Sequence, residues 1–252
     1  MPQPTPQPSA SAMSLSGQRV TIVIPTYNEA GNIPALVQRL MALGIANLHL
    51  LLVDDSSPDG TADMAERLAP QYGGRIAVLR RPGKMGLGTA YIAGFTRALA
   101  EGADYILEMD ADLSHSPEDV PRLLAEMAAH DVAVGSRWVK GGGVGKDWGL
   151  VRRFVSRGGS QYARLVLGLR VKDVTTGFKC FRRQALAGID LARIKSQGFA
   201  FQVEVAWACQ RRGYCVAEIP ILFANRSHGT SKMSLRIFRE AMWRVLAIRL
   251  RG

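Results

Sequence analysis

The 252-residue sequence predicts an α/β domain in which helices pack on both faces of a mostly parallel sheet. Three observations predict it. Short β-branched or apolar runs alternate with segments of helical spacing from residue 20 onward. Polar insertions fall where those runs end. Hydrophobic residues make up 47% of the chain and charged residues 21%, which suits a sizeable buried core and excludes a disordered body.

The elements follow in order. Residues 20–24 are a β-branched run that ends at Pro25, as a buried strand does. Ile33, Leu36, Val37, Leu40 and Met41 set a helix within residues 31–43. Residues 48–53 form a second strand, stopped by Asp54, Asp55 and Ser56. Residues 59–68 are helical, with Thr61 or Asp59 as cap. A third strand at 76–79 leads through a glycine-rich loop into a helix over 87–100. The fourth strand, 105–109, ends at Asp110, and a helix over 117–129 carries Pro117 near its first turn. Residues 132–134 are a fifth strand. Beyond Gly135 the pattern loosens into a glycine-bearing stretch, Gly141 to Gly143 and Gly145. Residues 150–169 are amphipathic and helical, interrupted at Gly158 and Gly159. Residues 173–181 are a turn entering a strand, and 214–223 form an edge or bent strand because Pro220 lies inside it. The organisation expected is a Pro/Gln/Ser-rich disordered tail at 1–18, one domain at 19–231, and a basic amphipathic helix at 232–252.

Charge and cysteines narrow the function classes. The net charge is +11, which calls for nucleic acid, an anionic membrane surface or a phosphorylated substrate as partner. Aromatic residues are only 7%, and the acidic clusters sit at strand ends, which excludes a nucleic-acid groove. Cys180, Cys209 and Cys215 are odd in number and form no C-x-x-C pair, so they read as reduced thiols of a cytosolic protein. The tail lacks the basic and apolar regions of a signal peptide, and no run approaches the roughly 18 apolar residues of a membrane span.

In open parallel sheets, ligands bind beyond the carboxyl ends of the strands. Residues 25–29, 54–59, 81–88 and 110–115 all lie there, on four strands, so they can converge on one site. Asp110 and Asp112 are carboxylates at i and i+2 just past a strand, able to face one divalent cation. Asp54 and Asp55 are adjacent and repel unless hydrogen-bonded; Asp55 suits a ribose or base N–H, and a turn cluster is the other reading. The loop around Lys84 follows neither the Walker A nor the G-x-G-x-x-G pattern, and reads equally as an anion contact or a plain connection. Arg226 and Lys232 flank a polar, glycine-bearing loop able to wrap an anion, although a solvated loop explains it too. No nucleophile elbow and no triad is present. In the last segment Leu235, Phe238, Met242, Val245 and Leu246 share one helical face, with arginines and Trp243 elsewhere. That face packs on the domain or lies in a headgroup layer.

Taken together, the strings around Tyr27, Asp55, Gly86, Asp110 to His115, Arg137, Asp173 to Phe178, Phe201 to Glu204 and Gly229 to Lys232 resemble the dolichol-phosphate mannose synthase family, within the inverting GT-A glycosyltransferases. The resemblance spans residue 20 to about residue 238. It implies a GT-A fold, a GDP-mannose donor, a polyprenyl (dolichyl) phosphate acceptor, and Mg²⁺ or Mn²⁺. Pro25, Tyr27, Glu29, Val53 and Asp55 are then expected at the guanosine, with Lys84 in the same donor-binding set. Asp110, Ala111 and Asp112 would meet the diphosphate and metal, and Ser114 stands where some relatives carry a metal-side Gln. Arg137, Arg226 and Lys232 would bind phosphate oxygens, and with Asp112 form the expected catalytic set. Transfer of glucose from UDP-glucose to the same acceptor is the alternative. The protein is expected at the cytoplasmic face of the membrane, held peripherally on an anionic surface, and a partner protein as anchor is left open.

Overall fold

The computed structural model describes residues 17–145, 148–224 and 235–251. The chain runs β1 (Val20–Thr26), α1 (Ile33–Met41), β2 (Leu48–Asp54), α2 (Thr61–Leu68), β3 (Ile76–Arg80), α3 (Leu87–Ala100), β4 (Tyr105–Glu108), α4 (Val120–Glu126) and β5 (Val132–Ser136). It continues as β6 (Gly143–Val144), α5 (Leu150–Leu167), β7 (Lys179–Arg182), α6 (Arg183–Gly188), α7 (Gly198–Arg211), β8 (Val216–Pro220), β9 (Leu222–Phe223) and α8 (Leu235–Arg251).

The main sheet has the order β3-β2-β1-β4-β7-β5-β8. Its neighbours are parallel except for β7, which runs antiparallel between β4 and β5. The two faces follow from the two-residue period of a strand. Val23, Leu51, Val53 and Ile106 join a core that includes residues of α3, α5, α6, α7 and α8. Ile22, Ile24, Leu50, Leu52 and Leu107 join the other core, with residues of α1, α2 and α4. Both faces are covered, so β1 and β2 read as near-continuous apolar runs. The β1–β4 ladder ends at Val23 opposite Glu108, and Pro25 lies past it, where a missing amide costs no bond to β4. Gly94 lets α3 lie against this sheet: a β-carbon there would stand 2.3 Å from Val23 Cγ1.

The five expected strands and the helices between them are present, and β8 is an edge strand as Pro220 foretold. Three expectations are corrected. α5 runs unbroken through Gly158 and Gly159. Ser160, Ala163 and Leu167 are buried along it, and that packing overrides a glycine cost of about 1 kcal/mol each. The helix expected over 117–129 is a 3₁₀ turn at Pro117–Asp119 followed by the shorter α4. The expected apolar face of the last helix is also different: Val245 and Ile248 are buried against the domain, whereas Leu246 is partly exposed. α7 and α6 had no counterpart in the sequence reading. The tail at 1–16, and Arg226 and Lys232 with their loop, lie outside the described residues.

Candidate active site

The loops that follow β1, β2, β3 and β4 belong to four neighbouring strands and meet over the sheet. They enclose a cleft of about 300 Å³. Pro25, Tyr27, Glu29, Asp55, Lys84, Asp110, Ala111 and Asp112 all line it. The sequence reading placed these residues at the donor, and the structure brings them together.

Each loop is fixed by its own polar residues. Asp54 is buried and accepts from Thr26 Oγ1 (2.9 Å), the Ser57 amide (2.9 Å) and Ser57 Oγ (2.6 Å). Asp55 accepts from the Met85 and Gly86 amides at 3.0 and 3.2 Å, and stands 2.9 Å from Arg81 in a close ion pair. The two adjacent carboxylates are therefore compatible because each has its own donors. Asp55 borders the cleft mainly as the clamp that closes the 81–86 loop. That loop delivers Lys84, whose ammonium sits 4.0 Å from the centre of the Tyr27 ring. The loop after β1 is held across α2. The Glu29 amide donates to Thr61 Oγ1 (2.9 Å), and the Ala30 amide to Asp59 (3.0 Å). Burial would raise the Asp59 carboxyl, but the bonds from the Thr61 side chain and the Ala30 and Thr61 amides outweigh it and hold it below the ordinary range.

Asp110 and Asp112 lie just past β4. Tyr91 Oη donates to Asp110 Oδ1 at 3.3 Å, and the Ser114 amide donates to Asp112 Oδ1 at 3.0 Å. The non-glycine residues with positive φ among those described are Asn28 (60°), Ser56 (55°) and Leu113 (59°). One falls in each of the loops after β1, β2 and β4, so backbone strain collects around the cleft. Two hard oxygen donors at a strand end suit Mg²⁺ or Mn²⁺, which shares its sphere with substrate phosphates and water. Among the described residues no group of three or more His, Cys, Asp or Glu gathers so as to hold a metal ion.

Several expected residues are placed elsewhere. Val53 is fully buried in the sheet core beneath α3, so its side chain supports the cleft and does not line it. Ser114 is 0% exposed, and it orients Asp112 through its amide and lies off the cleft wall. Its neighbour His115 is buried, stacked on Phe178 at 4.9 Å, and burial pushes the imidazole down to about 3.

Arg137 follows β5, two strands along the sheet from β4. Its Nε and Nη2 each stand 2.7 Å from the buried Asp173 carboxylate, and its amide donates to the same group at 2.9 Å. It borders a second, larger groove of about 860 Å³, with Trp138, Arg153, Phe154 and Arg157. Arg153 and Arg157 are not among the expected site residues; the sequence offers them only within the basic stretch from Arg152 to Arg170, whose charge suits a phosphate-headed lipid and an anionic bilayer. The sequence reading missed Phe199, in the first turn of α7, which is 43% exposed and forms an apolar wall of the first cleft. Phe199 is carried there by a loop that Glu204 secures, accepting from the Ser196 amide at 2.9 Å. The only trace of this in the sequence is that Glu204 closes the string beginning at Phe201.

The sequence pattern of glycosyl transferase family 2 matches residues 21–189. Polyprenol monophosphomannose synthase of Mycolicibacterium smegmatis is 43% identical over 236 residues, covering 93% of this chain and 88% of that protein. Undecaprenyl-phosphate mannosyltransferase of Micrococcus luteus is 44% identical over 224 residues, covering 89% and 91%. Among solved structures, glucosyl-3-phosphoglycerate synthase from Mycobacterium tuberculosis in complex with Mn²⁺, UDP-glucose and glycerol 3-phosphate superposes with a TM-score of 0.65 at 18% identity, covering 99% of this chain and 85% of that one. The same enzyme in complex with Mg²⁺ and UDP gives 0.68 at 19% identity, covering 99% and 84%. At that identity the likeness carries the GT-A-type fold alone.

Proposed function

The chain belongs to glycosyl transferase family 2, and on that premise we propose that it moves mannose from GDP-mannose to a polyprenyl (dolichyl) phosphate with inversion. It is an enzyme, a glycosyltransferase. Two relatives at 43% and 44% identity over about nine-tenths of the chain carry mannose transfer to such lipids in their names, which supports mannose over the UDP-glucose alternative. The observation that carries the reading is the pairing of two sites. A carboxylate-bearing cleft ends at Asp110 and Asp112, and an arginine-bearing groove opens at Arg137.

The first cleft takes the nucleotide sugar, with its diphosphate toward Asp110 and Asp112. Asp110 and Asp112 would hold a divalent ion, which when bound would supply positive charge against the leaving diphosphate. The second groove takes the acceptor. Arg153 and Arg157 offer its phosphate fixed positive charge, with Trp138 and Phe154 beside them for an apolar chain. Arg137, preset by Asp173, borders the same groove and lowers the cost of bringing one anion toward another. An acceptor phosphate oxygen forms the new bond to the anomeric carbon while the bond from that carbon to the diphosphate breaks on the opposite side. A phosphate monoester is already anionic near neutral pH, its second pKa being about 6, so it needs little help from a base. No histidine lines the donor cleft. Arg226 and Lys232 remain in this proposal as further phosphate contacts.

The membrane surface belongs to the same reading. No helix among the described residues is long and apolar enough to cross a membrane. α5 and α8 pack together, and both leave apolar residues in solvent: Phe154 (80% exposed) and Leu165 (74%) on one, Trp243 (68%) and Leu250 (84%) on the other. Arg157 and Arg249 are exposed beside them. Apolar side chains among cations suit the headgroup layer of an anionic bilayer that holds the acceptor. The enzymatic test is transfer of label from GDP-mannose into an organic-extractable lipid with polyprenyl phosphate and Mg²⁺ or Mn²⁺. Asp112→Ala should abolish transfer, and wild-type transfer from UDP-glucose but not GDP-mannose overturns the donor assignment. Trp243→Ser with Leu250→Ser should weaken binding to anionic vesicles and leave GDP binding intact; undiminished vesicle binding refutes the surface.

A further inference from the structure

We propose that Tyr91 is a positioning residue for the Asp110 carboxylate, and through it for the divalent ion of the reaction. The inference rests on the metal role given to Asp110 above. Tyr91 lies on α3 and is completely buried, its ring stacked between Phe95 (centroids 5.6 Å apart) and Phe201 (5.7 Å). A phenylalanine fills such a seat without burying a hydroxyl, and a buried phenol needs a partner to offset its desolvation. The partner here is Asp110 Oδ1 at 3.3 Å, on a residue that lines the donor cleft.

The seat is built from three further elements. A β-carbon at Gly177 would lie 3.4 Å from Asp110 Oδ1, 3.4 Å from Gln202 Nε2 and 3.6 Å from Tyr91 Oη. Three polar atoms, from the segment after β4, from α7 and from α3, therefore converge beside Gly177, where an added β-carbon would be in van der Waals contact with all three. Gln202 is itself fixed. Its amide nitrogen reaches Glu108 Oε2 at 3.3 Å and its oxygen accepts from the buried Lys179, whose ammonium lies 2.6 Å from Glu108 Oε1. Asp110 thus sits above a rigid polar floor, and the Tyr91 hydroxyl holds one carboxylate oxygen before any ligand arrives. Such support beneath a metal ligand is worth roughly 10–100-fold in metal affinity. Gln202, which helps to build this floor, lies in the string Phe201 to Glu204.

Tyr91→Phe keeps the ring stack and removes only the hydroxyl. The experiment is Mn²⁺ titration of the wild type, Tyr91→Phe and Asp110→Asn in the presence of GDP, followed by calorimetry. The expected result is roughly tenfold weaker Mn²⁺ binding in Tyr91→Phe, with metal-free GDP binding and thermal midpoint retained. Mannosyl transfer by Tyr91→Phe should recover as Mn²⁺ is raised, which a merely structural lesion would not do. Unchanged Mn²⁺ affinity in Tyr91→Phe, with affinity lost in Asp110→Asn, overturns the role of Tyr91 alone. Unchanged affinity in Asp110→Asn overturns the metal role of Asp110, and this inference with it.

Discussion

Asp173→Asn tests what holds Arg137 at the border of the second groove, the one proposed to take the acceptor. Asp173 is fully buried and takes three donors from Arg137, at 2.9, 2.7 and 2.7 Å. Its own amide donates to Glu218 Oε1 at 3.0 Å, so the pair is tied to the edge strand β8. In the asparagine variant the shape is kept, but one oxygen becomes an NH₂ group facing a guanidinium that is only 6% exposed. Removing one partner of a buried ion pair costs about 3–5 kcal/mol, because the other charge is left uncompensated. A chain of this size loses about 2–4 °C of thermal midpoint per kcal/mol, so the expected fall is about 6–20 °C. The assay is a calorimetric midpoint with GDP titration and acceptor kinetics on the same preparations. Neither residue lines the donor cleft, so GDP affinity should hold while the apparent KM for polyprenyl phosphate rises. A midpoint within about 2 °C of wild type would show that the pair does not stabilise the fold, and the reasoning would fail.

Two other perturbations probe packing and pH. Gly94→Ala should destabilise by about 1–3 kcal/mol in urea, because the new carbon meets Val23 and Val53 at 2.3 and 3.0 Å; a more stable variant would show that α3 can lift without cost. Hydrogen bonds donated by the Arg39 guanidinium are the main cause that takes the Glu118 carboxyl from its ordinary 4.5 down to about 2. A depressed carboxyl contributes stability that is present above about pH 4.5 and lost as pH falls toward 2. In Arg39→Ala the Glu118 resonance should titrate back near its ordinary value and the acid-range loss should shrink; a titration unchanged from wild type would remove Arg39 as the cause.

Much of the site was legible because its residues sit at strand ends, and strand ends show in a local pattern. Asp110 follows a four-residue buried strand, and Asp54 and Asp55 end another. α7 was not legible for the opposite reason. Gly198–Arg211 is buried on nearly every side, and a helix without a polar face has no 3.6-residue signal to read. Phe199 is therefore absent from the sequence reading, and Gln202 and Glu204 enter it only within a string that carries a family resemblance, with no role attached, although all three wall or support the cleft.

By itself the sequence determined the alternation of strands and helices, the four polar loops and the carboxylate pair, since each depends on residues a few positions apart. Only the tertiary structure decided which strands are neighbours, that β7 turns antiparallel between β4 and β5, and that Arg137 is locked to Asp173 across 36 residues of chain. It also decided that Val53 faces the core, that Asp55 clamps a loop, and that Tyr91 reaches Asp110 from another element. The physical reason is the same in each case. A side chain's role is set by what lies across the gap it faces, and no local period records that.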